Sequence, residues 1–171
     1  MKRLIAAVRA SRLTDLVLFA LIVTALLGAL ALLPGPDAIT PEGDARVIDG
    51  DSLKVAGVEV RLMGVDAPEA PQRCTRSGES WPCGREASKR LARRIGRERV
   101  RCEGENRDQH GRLLARCQVG ETELNRWLVE QGWAVSFGDY KGAEARARAA
   151  KRGIWAGEVE RPADWRAERG L

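Results

Sequence analysis

Four carboxylates, Asp49, Asp51, Asp66 and Glu69, crowd one short stretch of the chain, with Arg61 among them and Arg112 further on. Asp49-Gly50-Asp51 ends one expected strand and opens the next, while Asp66 and Glu69 stand just past a third. Neighbouring strand ends can bring Asp51 and Asp66 together, the arrangement that a hard, oxygen-seeking cation such as Ca²⁺ or Mg²⁺ requires. Two arginines beside them would supply planar, permanently charged donors suited to a phosphate. A carboxylate can also serve as a general base where histidine is scarce. Each segment alone reads blandly: Asp-Gly as a turn, Asp66-Ala67-Pro68-Glu69 as a helix cap or loop, Arg112 as a solvated hairpin residue. Their combination carries the signal.

The rest of the composition narrows the chemistry. The single histidine, His110, excludes two-histidine catalysis, a three-histidine metal centre and an HExxH zinc site within one chain. No GxGxxG, P-loop or GxSxG segment occurs, so dinucleotide binding and serine-hydrolase chemistry have no support. The net charge is +5, and five lysines leave 24 of the 29 basic residues as arginine. Such a chain favours anionic partners, though net charge by itself does not name one.

The segments VIDGDS, RLMGVDAPE and DQHGR, followed by Gly153-Ile154-Trp155, resemble the staphylococcal nuclease (thermonuclease) family in order and spacing over roughly residues 44–156. The resemblance implies an OB barrel and a calcium-dependent phosphodiesterase acting on DNA or RNA. By position, Asp51 and Asp66 resemble the carboxylate ligands of Ca²⁺, and Ala67 stands where the family offers a backbone carbonyl to the metal. Asp49 resembles a neighbouring acid of that pocket. Glu69 resembles the base that activates water, Arg61 and Arg112 the pair that binds the scissile phosphate, and Asp108 a structural residue holding the Arg112 loop. Ser52 and His110 depart from the family's usual threonine and aromatic, and the base-stacking tyrosines have only Phe137 and Tyr140 as candidates. A catalytically silent OB module, binding nucleic acid or an anionic envelope polymer, is the alternative. No protein partner is implied.

Positioning those residues requires a small α+β domain. Short strands are expected at 46–49, 52–55 and 58–65, the second and third joined by an Ala56-Gly57 turn. Val58, Val60 and Leu62 alternate with Arg61, which therefore faces away from the apolar side. A long loop follows over 66–83. Ala87, Leu91 and Ile95 mark an amphipathic helix over 84–96, and a hairpin follows at 98–103 and 112–119. Helices at 121–131 and 140–152 end at Gly132 and Gly153. The expected fold is α+β: an OB-type, five-stranded antiparallel barrel with three packed helices.

Leu16 to Leu33 is a charge-free apolar run preceded by Lys2, Arg3, Arg9 and Arg12. At about 1.5 Å per residue it nearly matches a ~30 Å hydrocarbon core, so it reads as a transmembrane or signal-anchor helix. The basic segment 1–15 would stay cytoplasmic and the domain would lie outside the cytoplasmic membrane. The competing reading is a cleaved signal peptide and a secreted domain. Residues 34–43 read as a linker, 44–166 as the domain and 167–171 as a tail. Four cysteines without zinc-type spacing suggest disulfides outside the cytoplasm. Of three pairings, Cys74–Cys83 across a small loop and Cys102–Cys117 across the hairpin are favoured, against four buried free thiols.

Overall fold

The computed structural model describes residues 18–24 and 38–171. The chain divides into two units, 1–37 and 38–171. In the first, residues 18–24 form a helical stretch, α1, in which Thr24 returns hydrogen bonds to the Ala20 and Leu21 carbonyls. Among the described residues no helix is long and apolar enough to cross a membrane. Most of the apolar run at 16–33 lies outside the described residues.

The second unit begins at Ala38, earlier than the expected boundary at Asp44, and includes 167–171, expected as a tail. The reason is pairing. Ile39 bridges Gly104, the Pro41 carbonyl accepts the Cys102 N–H, and β1 (Glu42–Gly43) pairs with β8 (Val100–Arg107), so part of the expected linker is sheet edge.

A seven-stranded sheet runs β1-β8-β9-β4-β3-β2, with β10 (Thr122–Glu123) added to β9 (Leu113–Val119). β2 (Ala45–Val47), β3 (Ser52–Val55) and β4 (Val58–Leu62) form a meander whose β3–β4 turn is Ala56-Gly57. The expectation of a purely antiparallel barrel is corrected at one pairing: β4 lies parallel to β9, with Val60 opposite Leu113 and Leu62 opposite Ala115. After β4 the chain leaves the sheet, forms α2 (Cys83–Ile95) and returns through β8, so β9 arrives in the same direction as β4. Parallel neighbours need such a crossover.

The inner face follows the alternation expected from sequence. Leu113, Ala115, Cys117 and Val119 are at most 1% exposed, as are Val60 and Leu62, while Arg61 points away. Leu91 of α2 and Leu124 and Leu128 of α3 (Leu124–Glu130) close over this face. Each such leucine contributes ~1.5–3 kcal/mol on burial.

Further elements depart from expectation. The third strand stops at Leu62, because the Met63-Gly64 turn, with Gly64 at φ +77°, turns the chain out of the sheet. Beyond it β5 (Val65–Asp66) pairs with β11 (Val135–Ser136). The long loop holds a hairpin, β6 (Cys74–Arg76) and β7 (Glu79–Trp81). The expected helix at 121–131 loses its first residues to β10, and that at 140–152 shortens to α4 (Lys141–Ala149). After the 3₁₀ turn Gly153–Ala156 comes α5 (Pro162–Glu168), which makes the expectation of three helices too few.

Both favoured disulfides are present. Cys74–Cys83 spans 5.6 Å between Cα atoms, and Cys102–Cys117, a cross-strand pair, 4.0 Å.

A buried amide locks the β4 exit to the sheet. Asn125 on α3 is fully buried; its Oδ1 accepts the Cys117 N–H at 3.0 Å and its Nδ2 donates to the Met63 and Ala115 carbonyls at 2.8 and 3.1 Å. Asn125→Ala leaves the Cys117 N–H and the Met63 carbonyl without this partner, while the Ala115 carbonyl keeps the Met63 N–H, so it should cost about 2–3 kcal/mol of stability. Urea unfolding of the two proteins measures the difference, and an unchanged midpoint would contradict this role.

Candidate active site

Asp51 occupies the tight corner between β2 and β3, where the Asp49 carboxylate accepts its N–H at 3.0 Å. Its side chain turns inward and is almost wholly buried. Oδ1 accepts Arg61 Nη1 at 2.7 Å and the Ser52 hydroxyl at 3.3 Å, and Oδ2 accepts the Ala67 N–H at 2.7 Å. Burial pushes the Asp51 carboxyl up to about 8; Arg61 opposes this, while Asp49 and Asp66 add to it. A buried carboxyl is raised in this way because loss of water penalises its charged form.

Arg61, on the outward side of β4, bridges two carboxylates, with Nη2 on Asp66 Oδ1 at 3.0 Å. Asp66 leaves the sheet in β5 and is held there by its pairing with Val135. Glu69 follows on a loop seated on the start of α2. The approach is close: a Cβ on Gly84 would lie 1.7 Å from the Glu69 carbonyl oxygen, and one on Gly50 2.5 Å from the Ala67 Cβ. Only glycine lets the chain come this close at either position.

Arg112 enters from the β8–β9 connection. Its Nε and Nη2 reach Asp108 Oδ2 at 2.8 and 2.7 Å, and its Nη1 reaches the Ser52 hydroxyl at 3.2 Å. Burial works against charge on Asp108, but hydrogen bonds from the Arg112 side chain, the Arg112 N–H and the His110 N–H outweigh it and hold the carboxyl below its usual range. His110 itself is exposed, against Gln109. An unbroken hydrogen-bonded chain thus runs Asp108–Arg112–Ser52–Asp51–Arg61–Asp66.

The chain continues through Arg166 on α5, which the sequence reading passed over. Nη1 and Nη2 of Arg166 fork the two oxygens of Asp66 at 3.0 and 3.1 Å, and Nη1 also reaches Glu69 Oε1 at 2.8 Å. The Asp66 and then the Glu69 contacts raise the Arg166 pKa further above its already high value. Gln72 also went unnoticed: fully buried, it accepts the Glu69 N–H at 3.1 Å and donates to the Glu160 carbonyl at 2.7 Å. The one signal for α5 was Pro162 three positions before Trp165, a helix start too short to show a period.

Asp49, Arg61, Glu69, Arg112 and Arg166 line one open cleft of about 1000 Å³, together with the 74% exposed Phe137. Tyr140 faces a neighbouring basic pocket, with Arg116 donating to its hydroxyl, which bonds Glu123. Among the described residues no group of three or more histidine, cysteine, aspartate or glutamate side chains forms a ready metal cage. The pair Asp51 and Asp66 nevertheless fits an oxygen-seeking cation: both donors are hard, buried carboxylates joined by the same guanidinium. Backbone oxygens and water would complete the shell. At Ala67, the N–H is committed to Asp51.

An α+β chain of OB type, carrying a carboxylate–arginine cleft at the strand ends, is what fold and site together define. The chain belongs to the staphylococcal nuclease homologue family, whose sequence profile matches residues 59–157. Over 104 residues it is 36% identical to the succinoglycan biosynthesis protein ExoI of Rhizobium meliloti, covering 56% of this chain and 54% of that protein. It is 32% identical over 121 residues to the probable endonuclease LCL3 of Verticillium alfalfae, covering 60% of this chain and 41% of the relative. It is 31% identical over 109 residues to the probable staphylococcal-like nuclease CAN2 of Oryza sativa subsp. japonica, covering 60% and 27%. The chain therefore spans about half the length of the first of these relatives and less of the others.

Glu144 of α4 secures the strand behind Asp66. Its Oε2 accepts the Ser136 N–H in β11, and its Oε1 pairs with Arg148 at 2.6 Å and Arg161 at 3.6 Å. Burial alone would raise this carboxyl, but the Ser136 and Arg148 interactions bring it below the usual range. The unfolded chain then binds the proton more readily, so this contribution is complete at neutral pH. It fades as pH falls below about 4 and through the lowered native value. Glu144→Gln should cost ~1–3 kcal/mol at pH 7 and flatten the acid limb of the stability curve. Thermal unfolding from pH 3 to 7 checks both.

Proposed function

We propose that this chain is a metal-dependent nuclease that hydrolyses phosphodiester bonds of DNA or RNA with little base selectivity. The observation that carries the reading is the continuous network joining the buried Asp51 and Asp66 to Arg61 and Arg112, which line one cleft, with Glu69 tied to Asp66 through Arg166. Membership of the nuclease family and two relatives with nuclease names support it.

Asp51 and Asp66 would hold a Ca²⁺ ion, with the Ala67 carbonyl beside them and Asp49 adding negative charge behind. When bound, such an ion neutralises charge that develops on a phosphate under attack. Arg61 and Arg112 bind and orient the scissile phosphate, their planar forks matching its oxygens. Asp108 holds Arg112 in place through contacts on both its backbone and its guanidinium. Glu69, about one-third exposed at the cleft, takes the proton of the attacking water. Phe137 offers an exposed ring on which a base can stack.

Both disulfides support an oxidising compartment, hence a domain outside the cytoplasm, with residues 16–33 as anchor or cleaved signal. Recovery of the full-length chain in the membrane fraction would favour the anchor. A second reading, a module that binds an anionic envelope polymer without cutting it, draws on the name of the succinoglycan-related relative.

The purified protein should cleave single-stranded DNA, RNA or duplex with Ca²⁺ and stop when a chelator is added. Glu69→Gln should lose ~10²–10⁴-fold in rate with the fold retained. Arg61→Lys and Arg112→Lys should each lose at least about tenfold, mainly in kcat. Asp51→Asn should raise the Ca²⁺ concentration needed for half-maximal rate. If the wild type cuts none of the three substrates, the polymer-binding reading takes its place.

A further inference from the structure

Arg166 lies beyond residues 59–157, where the family profile ends, yet it makes the densest set of contacts to the two carboxylates that matter most. Its position is not that of a loose terminus. The strap leading to α5 is laced to the disulfide hairpin: Thr75 and Glu158 exchange both backbone hydrogen bonds, at 2.8 and 2.9 Å. A Cβ on Gly157 would lie 1.9 Å from the Thr75 carbonyl oxygen, so strap and hairpin touch backbone to backbone. The buried Gln72 side chain ties the Glu160 carbonyl to the Glu69 N–H, and Pro162 and Trp165 are buried on the body of the domain. Cys74, next to Thr75, is bridged to Cys83 at the start of α2.

The Asp66 carboxylate is heavily committed in this arrangement. Oδ1 accepts from both Arg61 and Arg166, and Oδ2 accepts from Arg166. A carboxylate has about four lone-pair directions, and three are taken by donors of two guanidiniums, each carrying a full positive charge. A divalent cation on Asp66 must therefore displace a guanidinium contact or share the oxygen against like-charge repulsion. Arg61 is also held by Asp51, whereas Arg166 has Glu69 as an alternative partner and a side chain about 30% exposed to the cleft. Arg166 is the one that can yield.

We propose that Arg166 is a resident counter-cation of the carboxylate pair, which competes with the metal ion for Asp66 and so sets the metal concentration at which the site fills. This inference rests on the proposed metal site at Asp51 and Asp66. The strap, pinned to the Cys74–Cys83 hairpin, keeps the guanidinium at hand, so the competition is intramolecular and the threshold is built into the fold. When the cation takes Asp66, Arg166 stays on Glu69 or turns into the cleft, where it becomes a third positive group facing an anionic substrate.

Calorimetric titration of Ca²⁺ into the full-length protein, beside Arg166→Gln, Arg166→Lys and Arg169→Ala, tests this directly. Arg166→Gln removes the charge while keeping length and a donor, and should bind Ca²⁺ at least about tenfold more tightly than wild type. Arg166→Lys should stay near wild type, as should Arg169→Ala, which alters the residue just past the same helix without touching Asp66 or Glu69. In chelator Arg166→Gln should melt below wild type, and saturating Ca²⁺ should close the gap. Equal or weaker Ca²⁺ binding by Arg166→Gln would overturn the proposal, and so would a melting deficit that Ca²⁺ does not repair, which marks a purely structural residue. If neither wild type nor Arg166→Gln binds Ca²⁺, the metal site and this role fall together. If the calcium pattern holds while the wild type cuts no nucleic acid, the nuclease reading fails and the role of Arg166 stands.

Discussion

Three carboxylates and two guanidiniums share a few ångströms of space at one end of the sheet, and the central contact is Arg61 bridging Asp51 and Asp66. Removing two carboxylates from water costs several kcal/mol each unless opposite charge and hydrogen bonds stand ready. Arg61 can meet both because it sits on the outward side of β4, directly opposite Ser52 and one residue past Val60 of the core. The same alternation that buries Val60 and Leu62 aims Arg61 at the acids. Core packing and site charge are thus two faces of one strand.

The parallel pairing of β4 with β9 has a similar double effect. It obliges the chain to leave the sheet after Leu62, and the excursion carries Asp66, Glu69 and the disulfide hairpin before α2 brings it back. The connection from β8 to β9 then delivers Arg112 to the hydroxyl of Ser52, beside Asp51. A plain antiparallel meander would have no such detour, and Glu69, Asp66 and Arg112 would not be brought together.

Around this centre the supports are local and redundant. Asp108 fixes Arg112, Gln72 fixes the Glu69 backbone, and Glu144 fixes the strand paired with Asp66. Each is a buried or half-buried polar group whose hydrogen bonds are satisfied within the fold, so each resists the small displacements that would loosen a charged site. The strap from Gly157 to α5 closes the arrangement by laying Arg166 across Asp66 and Glu69.

Much of this was legible in the order of residues. The alternation in β4 and β9, the turn at Ala56-Gly57, the apolar face of α2 and the favoured cysteine pairings were readable from period, turn chemistry and cysteine spacing. The five residues Asp51, Arg61, Asp66, Glu69 and Arg112 stood out because their types and order repeat a known family's pattern. What sequence could not supply were features that depend on contacts between distant segments. The parallel β4–β9 pairing, the sheet edge at Glu42, and the hairpin inside a proline-rich loop leave no periodic trace in so few residues. Arg166 is the clearest case: one arginine among 24, a hundred positions from Asp66, with nothing in its neighbours to mark it. Periodicity reports which side of an element is dry, and so determined the strands and the core. Only the tertiary structure decided which charge meets which, because an ion pair is set by distance in space and leaves no mark on the spacing along the chain.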